Sequence, residues 1–233
     1  MLAIAPRGGS FIDSNLLRSF KSLSQKGKVL PGAPPGHKDG WGIIVWLNGR
    51  PTYLGRRPTN AAEDPTFDEA CNKIDETKVH SHLISHLRKA SQGSNKTENT
   101  HPFVIDGWAF AHNGRIDFPD MGDKTDSEIF FTALMEEKRK SKTSMKSAIE
   151  DSVKRVHDGY DYSSITFLLS DGSELFAYRD YTKNEDYYTM YFTTLRDRFV
   201  VSQEKLFESD WHEVPNRRLL HISGPNMNLT SIQ

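Results

Sequence analysis

The first apolar run, residues 2–5, is too short to be anything but a buried strand, and the breakers Pro6, Gly8 and Gly9 end it. The period then changes. Leu16, Leu17, Phe20 and Leu23 recur at helical spacing behind Asp13, a candidate cap, and Gly27 closes the helix. A stiff loop of Pro31, Gly32, Pro34, Pro35 and Gly36 leads to Asp39–Gly40–Trp41–Gly42. Residues 43–47 and 51–54 flank Asn48–Gly49, a strong hairpin signal. Asp64 as cap and Pro65 at the first position open a second helix whose apolar members are Phe67, Ala70, Cys71 and Ile74.

Strands are predicted over residues 79–86 and 103–111, followed by helices carrying Ile129, Phe130, Ala133 and Leu134, then Met145, Ile149, Val153 and Val156. The last third reads as strands at 164–169, 174–178, 187–193, 198–202 and 219–222, with Asp171–Gly172 turning the first pair. Hairpins interleaved with helices favour two antiparallel sheets covered by helices over a parallel βαβ winding. No linker long enough to separate domains occurs, so residues 1–233 are expected to form one domain.

Composition narrows the function classes. A formal net charge of -1 gives no footprint for nucleic acid, and no apolar run approaches the ~20 residues of a membrane span. The lone cysteine, Cys71, excludes an internal disulfide and any site needing several thiolates, so a reducing, cytoplasmic setting is expected. Cys71 shares a helical face with Phe67 and Ile74 and reads as a buried apolar residue.

Four segments at predicted element ends carry polar residues that a core does not need: Asp39–Gly40–Trp41–Gly42, His86 to Ser91, His112–Asn113–Gly114 and Thr125–Asp126–Ser127–Glu128. The Asn113 amide and the Gly114 N–H could form an oxyanion hole. Arg88 offers a rigid fork for a carboxylate, and Asp126 an acceptor for an ammonium. Singly, Asn113–Gly114 could be a tight turn, Arg88 a surface ion pair and Asp126 a helix cap. Together they are the fittings for an α-amino acid with a reactive side-chain carbonyl, for which glutamine is the natural candidate.

The series His86-x-Arg88-x-Ala90–Ser91, His101–Pro102, Ala111–His112–Asn113–Gly114 and Thr125–Asp126–Ser127–Glu128 resembles the motif series of class II glutamine amidotransferases. Asp39–Gly40–Trp41–Gly42–Ile43 resembles their early glycine-rich motif. Val200–Val201–Ser202–Gln203–Glu204 and Trp211-x-x-Val214–Pro215 are similar to the compact subgroup that includes gamma-glutamyl amide hydrolases of ergothioneine biosynthesis and glutathione breakdown. The resemblance implies an α+β fold of the N-terminal-nucleophile hydrolase type, a four-layer αββα sandwich. Arg88 would hold the substrate α-carboxylate, Asp126 its α-amine, and Asn113 with Gly114 the oxyanion; Ser91, where relatives often carry Thr, would line the pocket. No cofactor is implied. The unit would serve either as an ammonia source for a partner synthetase or as a stand-alone amide hydrolase.

In that family the nucleophile is a cysteine at the mature N-terminus whose own α-amine handles the proton. Here the sequence opens Met1–Leu2–Ala3–Ile4–Ala5, like the family's first strand without the Met–Cys–Arg that normally leads it. A Cys–Arg pair is therefore expected directly ahead of Met1. Two other readings exist: a catalytically silent module that binds a glutamine-like ligand or stabilises a partner, and a metal-dependent hydrolase built on His80, His82, His86, His101 and His112.

Overall fold

In the computed structural model, which describes residues 1–90, 94–141 and 144–232, the first apolar run is strand β1 (Leu2–Pro6). Asp13 holds the start of the next helix, its carboxylate accepting from Asn15 N at 2.8 Å, while Ser14 at the helix boundary makes no side-chain cap bond; the helix breaks at Ser22 into α1 (Asn15–Lys21) and α2 (Leu23–Lys26). The Ser22 hydroxyl donates back to the Ser19 carbonyl at 2.7 Å, the local competition that makes serine a poor interior residue.

Strands β2 (Trp41–Leu47) and β3 (Arg50–Arg57) form the expected hairpin, and Asn48 and Gly49 both take the positive φ that a two-residue turn demands, 53° and 74°. Helix α3 (Pro65–Thr77) starts as predicted, with the Asp64 carboxylate accepting from Thr66 N at 3.0 Å. The strand predicted at 79–86 contracts to β4 (Leu83–Leu87), because residues 79–82 bond to other segments: the Val79 carbonyl accepts from Ile12 N at 2.7 Å, and His82 N donates to Gly172 O.

The strand predicted at 103–111 is two strands. It folds back at Asp106–Gly107, both at positive φ, into β5 (Phe103–Ile105) and β6 (Trp108–Ile116). Helices α4 (Asp126–Ser141) and α5 (Met145–Gly159) follow, then β7 (Tyr162–Ser170) and β8 (Glu174–Arg179). The strand predicted from Tyr187 begins later, as β9 (Tyr191–Thr194), since the amides of Tyr187 and Tyr188 close a turn on the Asn184 carbonyl. Next come β10 (Arg198–Ser202), the short β11 (His212–Glu213), β12 (Arg218–Ser223) and the unanticipated β13 (Asn226–Ser231), a largely exposed strand whose apolar alternation is only Met227 and Leu229.

Every strand pair is antiparallel. One sheet has the order β11-β9-β10-β1-β4-β2-β3, the other β13-β12-β8-β7-β6-β5. Side chains of β1 alternate between two cores: Leu2 and Ile4 pack with Phe20 and Phe67 beneath α1–α3, while Ala3 and Ala5 meet Ala109, Ala111 and Ala177 of the second sheet. A third core joins the second sheet to α4 and α5 through Phe110, Phe130, Phe131 and Phe167. Three cores between four layers make an αββα sandwich of α+β class.

Register brings the functional ends together. Leu2 pairs with Ser85 and with Ser202, so the start of β1 lies beside the exits of β4 and β10. In the facing sheet, Asn113 and Gly114 pair with Thr166 and Ile165.

Candidate active site

A cavity of about 430 Å³ opens where these ends meet, and Arg88, Asn113, Gly114 and Asp126 all line it. Arg88 follows β4 and is 4% exposed, which excludes the surface ion pair. Burial lowers its guanidinium pKa against the opposing pull of Asp39, and Nη1 donates to Asn95 Oδ1 at 3.2 Å. The early glycine-rich motif explains how it is held: Arg88 N donates to Gly40 O at 2.7 Å, Asp39 N to Arg88 O at 2.9 Å, and Ala90 N to the Asp39 carboxylate at 2.8 Å. Ser91 lies outside the described residues.

Asn113–Gly114 is not a turn. It sits inside β6, and the glycine is required by contact: a Cβ there would overlap the Ser164 carbonyl and approach His112 Nε2 to 2.8 Å. Tyr187 OH donates to Asn113 Oδ1 at 3.5 Å, leaving the amide Nδ2 without a hydrogen-bond acceptor among the described residues. Burial raises the Tyr187 hydroxyl to about 12, so it remains a donor.

Asp126 begins α4 and is 6% exposed. Its Oδ2 accepts from Ile116 N at 2.9 Å, joining the helix start to the end of β6 rather than capping its own first turn. Beside it, His112 Nε2 donates to Ser164 O at 3.1 Å while Nδ1 lies 2.9 Å from Ser127 Oγ. Burial lowers the His112 pKa, outweighing Asp126, so the ring is neutral and Nδ1 accepts from the serine. This bridge fixes the separation between Asn113–Gly114 and Asp126.

His86 and His101 also line the cavity, with ring centroids 4.6 Å apart. Burial holds both well below the ordinary histidine pKa, and both ring nitrogens of His101 lack hydrogen-bond partners. Gly42 allows this placement, because a Cβ on β2 would overlap the His101 carbonyl. The histidines do not form the suggested metal cluster. His80 Nδ1 lies 2.9 Å from Ser10 O and His82 Nδ1 2.9 Å from Ser170 Oγ, and no group of three or more potential ligands occurs among the described residues. Cys71 is fully buried on the inner face of α3, its thiol pushed up to about 11 by that burial.

Sequence reasoning missed part of the wall. Met1, His37, Lys183, Tyr187, Gln203 and Glu204 all face the cavity. The resemblance of Val200 to Glu204 was the only hint for the last two. Met1 N donates to Gln203 Oε1 at 3.1 Å, so any residue joined to that nitrogen would start on the cavity wall.

The family profile described as glutamine amidotransferases class-II matches residues 12–218. The chain belongs to that family. A Haemophilus influenzae relative named "Putative glutamine amidotransferase" is 33% identical over 157 residues, covering 61% of this chain and 52% of the relative. Escherichia coli "Putative glutamine amidotransferase YafJ" is 28% identical over 186 residues, 72% of this chain and 69% of that one. The chain thus spans only about half of the Haemophilus protein, and 65% of a Methanocaldococcus jannaschii relative. Among solved structures, a class-II glutamine aminotransferase domain protein from Silicibacter pomeroyi superposes with a TM-score of 0.68 at 18% identity, covering 100% of this chain and 99% of that one. Glutamine phosphoribosylpyrophosphate amidotransferase of Bacillus subtilis gives 0.68 at 17%, covering all of this chain and 49% of that one. At such identities the likeness establishes the N-terminal-nucleophile amidotransferase fold. No helix among the described residues is long and apolar enough to cross a membrane.

Proposed function

We propose that the cavity binds glutamine or a gamma-glutamyl amide and supports its hydrolysis through a thioester. Arg88 receives the α-carboxylate, Asp126 the α-ammonium, and Asn113 Nδ2 with Gly114 N–H the developing oxyanion. The observation that carries this reading is convergence: a buried guanidinium after β4, a buried carboxylate at the start of α4 and an oriented amide on β6 line one cavity with the start of β1. Cys71 is excluded as nucleophile by its burial and raised pKa. The thiolate is assigned instead to a cysteine joined ahead of Met1, where the amide carbon would be within reach. Its attack forms a C–S bond and expels the amine, which takes a proton; water then attacks the thioester, giving glutamate and restoring the thiol.

The test compares protein bearing Cys–Arg ahead of Met1 with protein bearing Ser–Arg there. Glutamate release from glutamine or gamma-glutamyl amides only by the cysteine form is expected. Glutamine binding without turnover in the cysteine form would leave a silent ligand-binding module. Absence of both would remove the head-group assignment as well.

A further inference from the structure

The polar clamps account for only part of the cavity. The remaining wall has a different character. Phe20 and Leu23 from α1 and α2, then Val29, Leu30 and Ala33 from the loop that follows, present apolar surface to the same space. Phe20 and Leu23 are buried, while Leu30 is 37% exposed.

Charge on this wall is biased. Lys28, Lys89 and Lys183 border the cavity, opposed there by Glu204, whose carboxylate accepts from Lys28 N at 2.9 Å. Lys28 Nζ reaches the Asp186 carbonyl at 3.4 Å, and Lys89 and Lys183 form no ion pair among the described residues. Arg115 also lines the cavity but is paired with Asp117 at 2.6 Å. With Arg88 and Asp126 assigned to the head group, the remaining charge is positive.

We propose that this wall is a subsite for the leaving amine of a gamma-glutamyl amide, and that the amine is an amino acid with an apolar side chain and a free carboxylate. The inference rests on the head-group assignment above and names the substrate class of that same site. An apolar side chain would cover Leu30, Val29 and Ala33, and the carboxylate would meet the lysines. Free glutamine leaves this surface wet.

Calorimetric titration of the chain with glutamine, gamma-glutamyl-leucine and gamma-glutamyl-leucinamide tests the proposal. Burying a leucine side chain should make gamma-glutamyl-leucine bind about tenfold or more tighter than glutamine, and amidation of its carboxylate should remove part of that gain. Leu30→Ser and Lys183→Gln alter exposed residues and should each reduce the ratio of the two affinities. Glutamine binding as tightly as gamma-glutamyl-leucine, or acid and amide binding alike, overturns the subsite and leaves the head-group reading standing. Failure of all three ligands to bind overturns both.

Discussion

Replacing Asp126 by Asn isolates the ammonium clamp from the fold. The carboxylate is 6% exposed, and its structural bond is the one it accepts from Ile116 N at 2.9 Å. An asparagine Oδ1 can accept the same Ile116 N–H in nearly the same volume, so the folding cost should stay below about 1 kcal/mol. Ligand binding loses a charge-assisted contact, about 1.5–3 kcal/mol, or roughly 10- to 150-fold in Kd. Titration with glutamine and with glutaramic acid, which lacks the α-amine, forms a double cycle. The native protein should favour glutamine by that factor, and Asp126→Asn should not discriminate between the two. Retained discrimination, or equal loss of both ligands, would refute the clamp and leave Asp126 as a tie between α4 and β6.

Gly114→Ala forces a methyl against the Ser164 carbonyl on β7, a paired interior strand that cannot retreat; about 1–3 kcal/mol of stability should be lost, and an unchanged urea midpoint would contradict the packing argument. The Cys71 thiol, fully buried and raised to about 11, should resist labelling in the native state and react once urea unfolds the chain; rapid stoichiometric labelling of native protein would place it elsewhere. Acid should destabilise the fold through neutral histidines. His37 and His82 are lowered to about 4, and His86 and His101 well below their ordinary value, burial being the first cause in each. Between pH 6.5 and about 4 the unfolded chain takes up protons that the folded one refuses. Their stability contribution is therefore full above pH 6.5 and falls as pH drops, by at most about 1.4 kcal/mol per unit for each residue. A urea midpoint unchanged between pH 7 and pH 5 would be inconsistent with those burials.

Local chemistry made much of this architecture legible. Asn48–Gly49, Asp64–Pro65 and the apolar start of β1 each specify their conformation within a few residues, and the structure follows them. Asp106–Gly107 carried the same turn signal inside a continuous apolar run, and the run concealed it. Asn113–Gly114 shows the opposite case, a turn-type pair inside a strand, because its glycine answers to a neighbouring strand that no local window contains. Arg88 and Asp126, singled out by residue type, both line the cavity. The bracing by Asp39 and Gly40, the unpartnered His101 ring and the apolar wall around Leu30 arise from register and long-range packing, which residue order does not encode at short range.

The alanines between the sheets have a consequence for ligand length. Arg88 follows β4 of one sheet, while Asn113 lies on β6 of the other and Asp126 heads α4, tied to the end of β6, so the gap across Ala3, Ala5, Ala109, Ala111 and Ala177 works as a caliper whose jaws are the proposed recognition groups. Close-packed interiors yield little, so a larger residue at any of these alanines would widen the jaws far from any ligand contact. Relatives could in this way be retuned to longer or shorter amino acids with every polar group in the cavity unchanged.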